Sequence, residues 1–234
     1  MSKKAVAGAT AAAIAAAALA AFFPMLATDT ACRYAPMAEA FAAGDWGEAF
    51  HPRFCVGMSV LAGSVVKLTG FDGYAACTFT ATLAWALSAI PLFRLAERVF
   101  DRQTAWFAVV MYLICPQLLV WALKGLREPF KVLGVLLAAD AVMRRRDGEK
   151  GWLSAAEAVL GIASLVLFKS DTILVAGCFT LVYAAYDGFR WKALCVAAGA
   201  AALLQPLCAL VWAWTGYWLP APHFIPFWQK LFGG

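Results

Sequence analysis

The chain has 234 residues, 64% of them hydrophobic and 14% charged, with a formal net charge of +5. A soluble domain carries roughly 25% charged residues, so composition excludes an ordinary soluble protein and points to a polytopic membrane protein. The cations sit between apolar runs and form no basic stripe interleaved with aromatics, which argues against a nucleic-acid partner.

Runs near or above 18 apolar residues, the length that crosses a bilayer, predict seven spans in an all-α membrane domain covering residues 1–234. The first span covers about 5–27 and follows Lys3 and Lys4. The first outer loop, 31–70, holds two predicted interfacial helices, 31–43 and 54–69. In the former, Tyr34, Met37, Ala38 and Phe41 recur at i, i+3, i+4 and i+7 and make one apolar stripe. The latter is marginally short for a span and contains Lys67. The remaining spans are about 74–98, 104–122, 129–143, 153–168, 172–189 and 193–216, followed by an outer tail, 217–234.

A secretory signal peptide is the competing reading of the first span, with "MLAT" as a poor cleavage site because of Met25. The seven cysteines form no CxxC pair. Cys77, Cys115, Cys178, Cys195 and Cys208 lie in apolar runs and read as small buried hydrophobes. Cys32 and Cys55 fall outside the spans, and a disulfide between them stays open. His51 and His223 lack ligand spacing, so no metal site is expected. A divalent cation is the one cofactor left open.

Positive charge orients the chain. Seven spans gather Lys3, Lys4, Arg94, Arg98, Arg102, Arg144, Arg145, Arg146, Lys150, Arg190 and Lys192 on one side. The turns "RVFDRQ", "RRRDGEK" and "GFRWK" are short and basic, as cytoplasmic turns are. A crossing by 54–69 would blur this bias. The N-terminus is therefore placed in the cytoplasm and the C-terminus outside, in a plasma or inner membrane. Trp106, Trp152 and Trp191 then fall at inner span ends, and Trp121 and Trp218 at outer ends, as an aromatic belt requires. Asp140 and Glu157 come nearest to mid-membrane depth and read as lying near the inner interface.

The same topology sorts the outer polar residues. The first loop supplies Asp29, Arg33, Glu39, Asp45, Glu48, His51 and Arg53; "LKGLREPF" supplies Lys124, Arg127 and Glu128; "FKSDT" supplies Lys169 and Asp171; the tail supplies His223 and Lys230. Charges wedged between apolar spans are costly unless paired or ligated. An anion reachable there is most simply a lipid phosphate, held by Lys124, Arg127 and Lys169 through charge-assisted bonds. Plainer readings stand beside these. Glu128 equally suits the first turn of a helix opened by Pro129. Asp171 suits an N-cap. The three cations suit snorkelling to headgroups. Glu39 and Asp45 read as solvated or structural.

The first loop also resembles a known family. After the first span come Asp29, then "RYAPMAEAFAAGDW", then "HP" opening a segment that ends "LTGFDGYAA", then a span ending "PLFRLAERVF". This order is similar to the GT-C membrane glycosyltransferases, in particular the branch of protein O-mannosyltransferases and the lipid A aminoarabinose transferase. "LREPF" and the basic-polar-acidic start of the sixth span also resemble it, so the similarity covers most of residues 20–190. The resemblance implies transfer of a hexosyl or pentosyl group from a polyprenyl-phosphate donor to a lipid, glycan or protein acceptor on the outer face. It implies Asp29 as general base or as the group that orients the acceptor nucleophile, supported by Arg33. Lys124, Arg127 and Lys169 would hold the donor phosphate. Beside the resemblance, Glu128 stands as a second catalytic candidate, and Asp171 and His223 as further candidates for substrate binding.

The chain departs from the family where the aminoarabinose branch has an acidic-basic pair and this chain has Phe50-His51. A phosphate-binding lysine is thus either missing or replaced by His51. Relatives also continue past the seventh span, so the expectation is a core module: a minimal enzyme, a subunit that needs a partner, or a core that binds or translocates lipid phosphate without catalysis.

Overall fold

The computed structural model describes residues 3–186 apart from 24, 51–55, 150 and 169–171. Every regular element among them is helical, so the all-α expectation holds there. α1 (Lys3–Phe22) buries Ala13, Ala17, Ala20 and Ala21, a stripe of small side chains. A π-helical turn, Thr30–Tyr34, then leads into α2 (Ala35–Ala43). Pro36 accounts for the widened turn: it has no N–H, and its ring crowds the carbonyl four residues back.

α3 (Trp46–Ala49) is a single turn capped by Asp45, whose carboxylate accepts from the Glu48 N–H at 3.3 Å. α4 spans Val56–Thr69. α5 (Gly73–Leu87) and α6 (Ala89–Val99) run on from one another. Together, as Gly73–Val99, they make a helix long and apolar enough to cross a membrane.

The predicted third span proves to be two helices. α7 (Arg102–Leu113) and α8 (Pro116–Leu123) are bent by 52° at their junction. Pro116 removes a ladder hydrogen bond, and Cys115 before it is pushed out of the helical region to φ −62°, ψ 112°. α9 (Glu128–Arg146), α10 (Trp152–Phe168) and α11 (Ile173–Tyr186) complete the described helices. The expected seventh span, 193–216, and the tail 217–234 lie outside the described residues.

These helices run back and forth between two ends. α9 separates Glu128 from Arg146 by about 27 Å at about 1.5 Å per residue. At the Glu128 end, Phe130 stacks on Phe168 with ring centroids 4.0 Å apart, which brings the close of α10 there. Phe22 meets Phe71 at 6.1 Å, which brings the close of α1 to the start of α5. At the other end, Phe93 of α6 packs on Trp106 of α7 at 4.9 Å. α9 and α10 cross at Gly134 and Gly161. A methyl group on Gly161 would lie 2.8 Å from the Gly134 carbonyl and 2.7 Å from the Ala138 nitrogen, so only hydrogen fits.

α4 makes no pass between the ends. Its first turn sits under Phe168, where a methyl on Gly57 would lie 2.9 Å from the Leu167 carbonyl, and its last residues turn directly into α5. Both of its ends are therefore at the Glu128 end. The stripe Tyr34, Met37, Ala38 is buried rather than turned to a membrane surface, with Phe41 beside it against Gly63 of α4. Tyr34, Ala38, Met58, Ala62, Cys77, Phe130 and Phe168 form one core that unites the first loop with α5, α9 and α10. Trp106, Phe107, Val110 and Met111 on α7 and Val159 and Leu160 on α10 stay exposed, a run of large apolar side chains suited to lipid.

Candidate active site

The site is assembled around the end of α8. "ALKGLRE" closes that helix with a Schellman turn: Gly125 N–H donates to Ala122 O at 3.0 Å and Leu126 N–H to Trp121 O at 3.1 Å. Gly125 is required here twice. Its φ is +64°, and a Cβ would lie 3.0 Å from the Thr78 nitrogen of α5. Two carbonyls that the turn leaves free are capped by the segment that follows α1. Leu123 O accepts from Met25 N–H at 3.0 Å, and Lys124 O accepts from the Thr30 hydroxyl at 2.6 Å. Tyr74 of α5 adds a second strap, its hydroxyl accepting from Ala27 N–H and donating to Met25 O, each at 2.6 Å.

Asp29 therefore sits between residues tied to α5 and to α8. Its carboxylate lies 3.0 Å from Arg33 Nη1, with the two side chains 53% and 49% exposed. An exposed i, i+4 pair is worth only about 0.5 kcal/mol, so a ligand can displace either partner at small cost. The expected company of Asp29 and Arg33 is thus present as an open ion pair.

Lys124 sits just past α8, its backbone held by Thr30, and among the described residues it has no carboxylate partner. Glu128 opens α9, 3.3 Å from Lys131 Nζ and 4.0 Å from Arg127 Nε. Those contacts fit the plainer reading of Glu128 as a first-turn acid neutralised by local cations. His51, Lys169, Asp171 and His223 lie outside the described residues. Phe168, the residue before Lys169, is fixed on Phe130 at this same end. Among the described residues no three of His, Cys, Asp and Glu converge to hold a metal ion.

The opposite end carries a different arrangement. Asp140 of α9 is wholly buried, 3.4 Å from Arg94 and 3.7 Å from Arg98. Glu157 of α10 takes Arg94 at 2.7 Å and Arg144 at 3.0 Å. In the α9–α10 loop, Arg98 reaches Asp147 at 2.6 Å and Glu149 at 2.8 Å. Bonds from Arg146 and Arg98 hold the Asp147 carboxyl below its ordinary range, and the bond from Arg98 does the same for Glu149. Balanced, mutually paired charges tie helix ends together and leave little for a ligand, so this end reads as structural.

Three residues around Asp29 and Lys124 escape sequence reading. Thr30 and Tyr74 act through hydrogen bonds to backbone 94 and 49 positions away, which no local pattern announces. Lys131 was within reach, being three residues after Glu128 on one helix face. Glu39, read as solvated or structural, is structural: its carboxylate accepts from Gly73 N–H at 2.8 Å and helps to open α5. Cys32 is an exposed thiol, and Cys55, with which a bridge is left open, lies outside the described residues.

No curated protein and no solved structure matches the chain. The family model of the dolichyl-phosphate-mannose-protein mannosyltransferases matches residues 54–214, which include Lys124, Arg127 and Glu128, while Asp29 and Arg33 precede the matched stretch. That match extends over more than half of the chain, and the protein accordingly belongs to this family of GT-C membrane glycosyltransferases.

Proposed function

We propose that the protein transfers a sugar from a polyprenyl-phosphate donor to an acceptor at the outer face of a plasma or inner membrane. The observation that carries this reading is the docking of the Asp29 turn onto the Lys124 turn through the Thr30 hydroxyl, which brings to one end of the helices an exposed carboxylate and a lysine that has no carboxylate partner among the described residues. Seven spans, with the N-terminus in the cytoplasm, put that end outside. The paired arginines at the other end agree with the positive-inside rule.

In this mechanism Asp29 takes the proton of the acceptor hydroxyl as its oxygen attacks the anomeric carbon. The bond from that carbon to the donor phosphate breaks, its electrons leave with the phosphate, and the sugar inverts. Lys124 and Arg127, joined by Lys169, stabilise the charge that develops on the departing phosphate. Arg33 orients the Asp29 carboxylate until the acceptor arrives. Glu128 keeps Arg127 and Lys131 at the opening of α9. The acceptor is a protein, glycan or lipid hydroxyl.

The test uses protein reconstituted in liposomes with radiolabelled polyprenyl-phosphate mannose and membrane acceptors. Asp29→Asn is expected to lower transfer about 100-fold or more, the ordinary contribution of a general base. Unchanged transfer by Asp29→Asn refutes the base assignment. Donor binding without transfer by the unaltered protein would instead identify a lipid-phosphate-binding or translocating protein on the same core.

A further inference from the structure

Thr30 is a buried hydroxyl that bonds far outside its own turn. Thr80 and Thr180 each turn their hydroxyls back on a carbonyl of their own helix, which satisfies the group and ties no second element to it. Thr30, with no exposed surface, reaches instead to Lys124 O at 2.6 Å, with Gly125 O 3.4 Å away. Neither carbonyl is taken by the Schellman turn that closes α8, which uses those of Trp121 and Ala122.

The consequence concerns the neighbouring residue. Successive helical residues point about 100° apart. Anchoring Thr30 inward therefore holds Asp29 on the open side, where it meets Arg33. The same hydrogen bond fixes the backbone of Lys124. One hydroxyl thus ties the turn that carries Asp29 to the turn that carries Lys124, 95 positions further along the chain. A misplacement of about 1 Å between reacting groups can cost about 100-fold in rate.

We infer that Thr30 is a positioning residue, which aligns the Asp29 carboxylate with the Lys124 cation without touching substrate; this role rests on the transferase reading above. Valine matches threonine in shape and lacks the hydroxyl, whereas serine keeps it.

The experiment compares Thr30→Val and Thr30→Ser in liposomes with polyprenyl-phosphate mannose, alongside amide hydrogen exchange over residues 25–35 and thermal melting. Thr30→Val is expected to lower kcat about tenfold or more while donor KM stays within about threefold. Thr30→Ser is expected to keep kcat within about threefold of the unaltered protein. Exchange over 25–35 is expected to quicken in Thr30→Val alone. Should Thr30→Val keep its kcat, the inference fails and the transferase reading stands. Equal losses in both variants that follow their melting temperatures mark a purely structural role and also overturn it. If the unaltered protein transfers no sugar, the transferase reading itself falls. Exchange then decides the anchor, and unchanged exchange in Thr30→Val refutes it.

Discussion

Arg94 on α6 and Asp140 on α9 meet with Nη1 and Oδ2 3.4 Å apart, and the carboxylate is wholly buried while the guanidinium keeps 24% of its side chain exposed. The pair is unequal in its dependence. Arg94 has a second carboxylate, Glu157, at 2.7 Å; among the described residues Asp140 has beyond Arg94 one cation within ion-pair distance, Arg98 at 3.7 Å, outside hydrogen-bond range.

That inequality predicts an order of cost. Arg94→Ala strands a buried carboxylate, and losing one partner of a buried pair costs about 3 kcal/mol. Asp140→Asn leaves Arg94 with Glu157 and Arg98 with Asp147 and Glu149, and should cost about 1 kcal/mol. Unfolding of the two variants in mild detergent measures the difference. The reverse order would show that Asp140 has support other than Arg94.

The same end of the bundle should respond to acid. Asp147 and Glu149 are pulled below their ordinary ranges by Arg146 and Arg98. A carboxyl lowered by folding contributes stability above its unfolded value, about 4, and loses it as pH falls through the folded value. The melting temperature should therefore drop below about pH 4, and part of that drop should be absent in Arg98→Gln. Since both carboxylates are partly exposed, salt should weaken the effect. Parallel melting profiles for Arg98→Gln and the unaltered protein would remove Arg98 as the cause.

What was readable in the sequence follows from the range of each signal. Apolar length and the sign of flanking charges are local, and they located α1, α5–α6, α9 and α10 and the basic turns that gather at one end. The break at Pro116 is local too, yet the apolar run through it hides a 52° bend. The direction of the Tyr34–Phe41 stripe was not readable, because a stripe announces burial and not whether lipid or α4 provides it. Gly63, which lets α4 approach, lies 22 positions beyond Phe41. Asp29 stood out as a charge at a span exit. Thr30, which holds it, looks like any threonine until Lys124 is folded against it.

The α9–α10 crossing carries a sharper prediction. Gly161→Ala pushes a methyl to 2.7 Å from the Ala138 nitrogen and 2.8 Å from the Gly134 carbonyl, both of them backbone. The helices must separate, at a cost of about 1–3 kcal/mol for overpacking. Phe130 and Phe168 sit on the same helix pair, so the strain should also loosen the Glu128 end. Gly151→Ala, with open space around it, is the control and should melt like the unaltered protein. Equal melting of Gly161→Ala and the control would mean that the crossing is looser than these distances.

Sidedness can be read with a thiol reagent. Cys32 is free, exposed and one turn from Asp29 at the end assigned to the outer face, whereas Cys77 is buried in the core. Arg102 is exposed at the start of α7, at the end assigned to the cytoplasm. With the other cysteines replaced by serine or alanine, a membrane-impermeant maleimide should label Cys32 in intact cells. In a second variant lacking Cys32, Arg102→Cys should be labelled only after the membrane is opened. The opposite pattern would put the Asp29 end in the cytoplasm, so that the donor sugar would have to be presented there. Labelling of both positions in intact cells would contradict a bundle whose two ends face different compartments.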